Sequence, residues 1–235
     1  MPTRPGGEIA SRPLHFIFLC DCSGSMTVDG KIQSLNAAIR ESIPHMQAAA
    51  SSNPNAQVLV RVINFSNGAQ WHIASPTKIE EFKWKDLEAN VNALTDMGKA
   101  LSMLSEQMKV PPMEERALPP VLVLISDGQP TDDFKAGLND IMKQPWGKKS
   151  VRIAIAIGKD ADEEVLQKFI GHSELRPLKA NNPEALVERI KWVSTVVLQS
   201  ASSPPSQISS SSHTPVTVPI PSVVPASTPS VDDVW

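Results

Sequence analysis

The chain has no tyrosine, two cysteines and only 5% aromatic residues across 235 positions. Two cysteines cannot staple a fold of this length, which excludes the disulfide-built scaffolds of small secreted domains. A dominant charge is missing as well. Lys and Arg number 22 against 25 Asp and Glu, a net charge of −3. A general nucleic-acid binder would carry a basic excess, so no nucleic-acid partner is expected. No run approaches the ~18 consecutive apolar residues of a membrane-spanning helix, so no membrane partner is expected. Leu14–Cys20 comes nearest to a targeting segment, with Arg4 and Arg12 before it. It is interrupted by His15, ends at Asp21 and has no small-residue cleavage site after it. It reads as a buried strand, and the protein as cytoplasmic.

Hydrophobic residues make up 41% of the sequence, enough for a core. The length allows one domain or at most two small ones, at roughly 100–200 residues each. Residues 201–235 differ in kind. They contain 10 Ser, 3 Thr and 7 Pro and no Lys or Arg. Such a composition cannot bury enough apolar surface to offset its ordering entropy. The expected organisation is an N-terminal extension at 1–13, one folded domain at 14–200 and a disordered Ser/Thr/Pro-rich tail at 201–235. The tail closes on Val231-Asp232-Asp233-Val234-Trp235, which has the makings of a short docking peptide anchored by Trp235. Its hydroxyls suit a kinase.

Inside 14–200, apolar runs alternate with helical periods. Leu14–Cys20, Val58–Phe65, Val121–Ile125 and Val151–Ile157 are nearly continuous apolar runs, as in parallel strands covered on both faces. Ile32, Leu35, Ile39, Ile43 and Met46 step by three and four, and so do Met97, Leu101, Leu104 and Met108. Leu186, Ile190, Val193 and Val197 repeat the pattern. Each set marks one buried helix face. Pro44 is expected to kink or end the first helix. The alternation predicts an α/β fold with a doubly wound, mostly parallel sheet. Ala69–Ala74 follows Val58–Phe65 after only Ser66–Gly68. A connection so short makes a hairpin, hence one antiparallel edge strand.

In open α/β sheets, ligands bind beyond the carboxyl ends of the strands. The first strand is followed by Asp21-Cys22-Ser23-Gly24-Ser25-Met26, and Val121–Ile125 by Ser126-Asp127-Gly128. Thr95 sits just before the helix that starts near Met97. Asp21, Ser23, Ser25, Thr95 and Asp127 offer only oxygen donors. Hard oxygen ligands without His or Cys suit Mg²⁺, Mn²⁺ or Ca²⁺ rather than Zn²⁺. Any one of these residues could equally be an ordinary turn residue or helix cap; the combination carries the signal.

Asp21-x-Ser23-x-Ser25 resembles the D-x-S-x-S motif of the von Willebrand factor A domain, and Thr95 and Asp127 match that family's other two metal-site elements in order. Together they resemble a metal-ion-dependent adhesion site, over about residues 14–195. The resemblance implies that Ser23, Ser25 and Thr95 coordinate a divalent ion directly or by turns. Asp21 and Asp127 would act directly or through water, and a partner's acidic residue would supply the last ligand. Cys22 stands where the family usually has Thr or Val, and Ala93-Leu94 where it commonly has Gly-Gly. Ile125–Asp132 and Thr95–Leu101 are most similar to bacterial TerY-like proteins, which are associated with tellurite resistance and stress and occur beside a Ser/Thr kinase and a PP2C-type phosphatase. The resemblance implies a non-enzymatic adaptor in such a system. The kinase and the phosphatase are its expected partners.

Two further classes stay open: a metal-dependent phosphohydrolase using the same carboxylates, and a direct metal or oxyanion binder. His15, His45, His72, His172 and His213 are scattered without triad or metal spacing. A haloacid-dehalogenase-like enzyme would need an acid where Ser23 stands. The P-loop pattern fails in Gly24–Lys31, which has five residues between glycines and Ile32 after Lys31.

Overall fold

A computed structural model describes residues 11–202. The elements are β1 (Arg12–Asp21), a 3-10 segment (Gly24–Gly30), α1 (Lys31–Ser51), β2 (Ala56–Ser66), β3 (Gly68–Lys78), α2 (Met97–Ser105) continued by a 3-10 turn (Glu106–Met108), and β4 (Val121–Ser126). There follow α3 (Phe134–Lys143), α4 (Pro145–Lys149), β5 (Val151–Ile157), α5 (Glu163–Ile170), β6 (Leu178–Ala180) and α6 (Pro183–Trp192). A π-helical turn (Val193–Val197) then leads into α7 (Leu198–Ser202). The six strands form one sheet in the order β3-β2-β1-β4-β5-β6. Only β3 runs antiparallel, hairpinned onto β2; the other pairings are parallel. The four apolar runs of the sequence are the four central strands.

Alternate residues of each strand feed two cores. Phe16, Phe18 and Cys20 of β1, with Val123 and Ile125 of β4, pack beneath α1 and α6. Ile17 and Leu19, with Leu122 and Leu124, pack beneath α2, α3 and α5. Both faces of the central strands are therefore covered, which is why those strands carry no polar alternation. All three helical periods lie in these cores: Leu35, Ile39 and Met46; Met97, Leu101 and Leu104; Leu186, Ile190 and Val193.

Three details depart from expectation. The strand β1 begins at Arg12, where it pairs with Ala56, so residues 12 and 13 belong to the sheet. Helix α1 runs through Pro44 to Ser51. Pro44 removes the hydrogen bond to the carbonyl of Arg40, but Arg40 is exposed to water, and buried Ile39 and Met46 hold the helix on either side. Residues 201 and 202 continue α7. The remainder of the expected disordered tail, with its terminal docking peptide, lies outside the described residues. No helix among the described residues is long and apolar enough to cross a membrane.

Candidate metal centre

The strands β1 and β4 are neighbours and parallel, so Asp21 and the Ser126-Asp127 pair emerge side by side at the sheet's carboxyl end. The chain after β1 folds back on itself. The Ser23 N–H donates to Asp21 Oδ1 at 2.8 Å. Ser126 Oγ donates to Asp21 Oδ2 at 2.5 Å and accepts from the Gly128 N–H at 3.1 Å. Ser25 Oγ lies 3.1 Å from Ser23 Oγ and donates to Asp127 Oδ1 at 2.7 Å.

Thr95 reaches the same point from the other side. The Thr95 N–H donates to Thr131 Oγ1 at 2.9 Å, and the Thr131 N–H donates to the Thr95 carbonyl at 3.0 Å. Asp132 then accepts from the Gly98 and Lys99 N–H groups, both at 2.8 Å, which satisfies free donors at the start of α2. Asp96 accepts from the Gly68 N–H and from Lys99. The hydrogen bond from the Lys99 ammonium holds its carboxyl below the ordinary carboxylate value. The helices α2 and α3 meet at glycines: a Cβ on Gly137 would come within 2.3 Å of the Gly98 carbonyl oxygen. That approach locks the loop carrying Thr95 against the loop after Asp127.

The result is a cradle of oxygens. A Cβ on Gly128 would lie 3.5 Å from Thr95 Oγ1 and 3.8 Å from both Asp21 Oδ2 and Ser25 Oγ. All five residues of the sequence motif are thus brought together. Asp21, Ser23, Thr95 and Asp127 are buried and Ser25 is exposed, so the cradle opens to solvent on the Ser25 side. The donor set is carboxylate and hydroxyl only, and no cluster of three or more His, Cys, Asp or Glu able to hold an ion exists among the described residues. Such a set fits a hard divalent cation.

Electrostatics sharpen the fit. Burial pushes the Asp21 carboxyl up to about 6, against the lowering effect of its hydrogen bonds from Ser126 and Ser23, and the nearby Asp127 charge adds to the rise. A group held in that condition gains from an arriving cation. Asp127 already has one: Lys31 Nζ stands 2.7 Å from its Oδ2. Cys22 is buried, and burial raises its thiol to about 12. It stays protonated, without the low pKa and access that reactive cysteines need.

Sequence reasoning gave no role to Ser126, Gly128, Thr131, Asp132 or Lys31. The first four lie within the quoted Ile125–Asp132 stretch, but Ser126, Thr131 and Asp132 have partners remote in sequence. The loops around the cradle also expose large aliphatic side chains, Val28 at 52%, Val91 at 75% and Leu94 at 53%. The Gly24 N–H to Ala93 carbonyl bond (3.1 Å) ties these loops together.

The von Willebrand factor type A domain profile matches residues 16–189. No curated protein matches the chain. Similar solved structures include a von Willebrand factor type A protein from Catenulispora acidiphila, at 17% identity and a TM-score of 0.60, covering 81% of this chain and 43% of that one. Proximal thread matrix protein 1 from the mussel byssus, with its MIDAS motif occupied by zinc, gives 17% identity and a TM-score of 0.59 over 83% and 49%. The ArnB paralog VWA2 from Sulfolobus acidocaldarius gives 19% and 0.54 over 80% and 44%. The chain spans less than half the length of these three structures. At such identities the likeness is one of fold, and the profile match supplies the family: the chain belongs to the von Willebrand factor type A domain family.

Proposed function

We propose that this domain is a non-catalytic, divalent-metal-dependent protein-binding module. Asp21, Ser23, Ser25, Thr95 and Asp127 hold one Mg²⁺, or Mn²⁺ or Ca²⁺ in its place, and a partner's Asp or Glu completes the coordination. One observation carries the reading: Asp21 Oδ2, Ser25 Oγ and Thr95 Oγ1 surround the same point beside Gly128. The ion supplies a positive centre for an external carboxylate. The chain's residues hold that centre at the mouth, and Val28, Val91 and Leu94 give the partner apolar contact around it. An acidic residue flanked by apolar ones is the partner chemistry this rim suits.

The similarity of Ile125–Asp132 and Thr95–Leu101 to TerY-like proteins extends the proposal. The module acts as an adaptor in a bacterial stress or tellurite-resistance phosphorylation system, in the cytoplasm, with a Ser/Thr kinase and a PP2C-type phosphatase as partners. The phosphohydrolase reading has less support. Asp21 and Asp127 are the two carboxylates of the five-residue cradle, and in this reading the ion takes up both, so no third acid among the five is left to serve as nucleophile or base. The buried Cys22 thiol equally disfavours a binder of soft metals or tellurium species.

The test is a pull-down with the kinase and phosphatase as baits, using wild type, Ser23→Ala and Thr95→Ala, each with Mg²⁺ or EDTA. Retention by wild type in Mg²⁺ alone supports the reading. Equal retention in every lane means that recognition uses another face. Turnover of a phosphate ester by pure protein with Mg²⁺ or Mn²⁺ would move the assignment to an enzyme.

A further inference from the structure

Lys31 is placed where helix physics disfavours it. It is the first residue of α1, and a helix N-terminus carries partial positive charge that repels a cation. The first turn of α1 contains no acidic residue to offset this. Two successive left-handed residues, Asp29 at φ 51° and Gly30 at φ 72°, turn the chain into the helix at this point. Only Gly adopts that conformation without cost. The lysine then reaches across 96 positions of sequence to Asp127, at 2.7 Å. The side chains are 14% and 1% exposed respectively. The other oxygen of the same carboxylate accepts the Ser25 hydroxyl proton at 2.7 Å, so the ammonium, the carboxylate and a hydroxyl of the cradle form one chain.

We infer that Lys31 is a built-in counter-cation that lowers the affinity of the cradle for divalent ions. The inference rests on the metal reading given above. With Asp21 and Asp127 ionised, the two carboxylates and the ammonium sum to −1 rather than −2. A divalent ion therefore meets half the negative charge that the motif alone offers, and it meets a like charge on the far side of Asp127. The loaded site keeps a net charge of +1 instead of falling to zero. It thus retains an unbalanced positive charge that an anionic ligand can answer. The lysine exchanges grip on the ion for attraction toward a carboxylate.

The experiment is calorimetric titration of the full chain with Mn²⁺ at pH 7.5, on wild type, Lys31→Met, Lys31→Gln and Lys31→Arg, with melts of each in EDTA. Lys31→Met and Lys31→Gln should bind Mn²⁺ about tenfold more tightly. Lys31→Arg, which keeps the charge, should stay within about threefold of wild type. In EDTA the two neutral variants should melt below wild type, because a buried carboxylate has lost its counter-charge. Saturating Mn²⁺ should close that gap. Lys31→Gln keeps a donor for Asp127, so it separates charge from lost packing should Lys31→Met fold poorly. Wild type binding Mn²⁺ as tightly as both neutral variants, or more tightly, overturns the inference and leaves the metal site standing. Failure of all four proteins to bind Mn²⁺ overturns the metal reading itself, and this inference with it.

Discussion

The ends of β1 and β4 present the same residue type to the same point and treat it differently. Asp21 is buried with neutral partners only, a backbone N–H and the Ser126 hydroxyl, and burial lifts its carboxyl to about 6. Asp127 is equally buried but carries an ammonium on one oxygen and a hydroxyl on the other. Asp21 therefore holds charge without a counter-ion, while Asp127 is paired with Lys31 and accepts the Ser25 hydroxyl. Two acids at strand ends look equivalent in sequence. Their neighbours set them apart, and in the proposed metal site Asp21 is the acid left to answer a cation while Asp127 orients Ser25.

The sharpest way to break this comparison is to neutralise each acid in turn. Asp21→Asn should weaken Mg²⁺ binding by more than ~100-fold. Asp127→Asn should cost ~10–100-fold, as for residues that orient metal ligands from behind. Calorimetry with both variants decides it, and equal losses would mean that both acids touch the ion alike.

The second contrast is in pH. The folded pKa of Asp21, about 6, lies above its ordinary value of 3.8. The stability it contributes is therefore fully present below about pH 3.8 and is lost as the pH rises through about 6. The shift corresponds to roughly 3 kcal/mol at most, at about 1.4 kcal/mol per unit. In EDTA, wild type should lose stability relative to Asp21→Asn between pH 4 and pH 8. Mg²⁺ should restore it by mass action. Denaturant melts at both pH values, with and without the ion, check the sign.

Smaller effects come from the frame that brings the two strand ends to Thr95. Gly137→Ala should cost ~1–3 kcal/mol, because its methyl would press on the Gly98 backbone. Thr131→Val removes the acceptor for the Thr95 N–H and should cost ~1 kcal/mol, by the usual worth of one hydrogen bond. Both should also weaken the ion severalfold by loosening Thr95, a readout that titration supplies. Val91→Ser should leave stability and metal affinity unchanged, within ~0.5 kcal/mol, and reduce only partner capture.

Much of the frame was legible in the sequence because it follows from periodicity. The central strands are apolar on both faces, and α1, α2 and α6 show long runs of one buried face. The hairpin β2–β3 followed from a short connection. Other elements were not visible. Helix α5 buries only Leu166, Phe169 and Ile170, and β6 is three residues long, too little for a period to show. Pro44 does not end α1, because packing on both sides of it holds the helix. The five site residues were readable as a motif. Their division of labour was not, since it depends on contacts such as Lys31 with Asp127 and Thr95 with Thr131, made between loops far apart in the chain.

Anomalous diffraction from crystals of the full chain grown with Mn²⁺ tests the central claim most directly. The account expects one peak per chain, beside Gly128 and within bonding distance of the Ser23, Ser25 and Thr95 hydroxyl oxygens, with Asp21 facing it directly or through one water. Absence of a peak at saturating Mn²⁺, or a peak elsewhere on the surface, would contradict it.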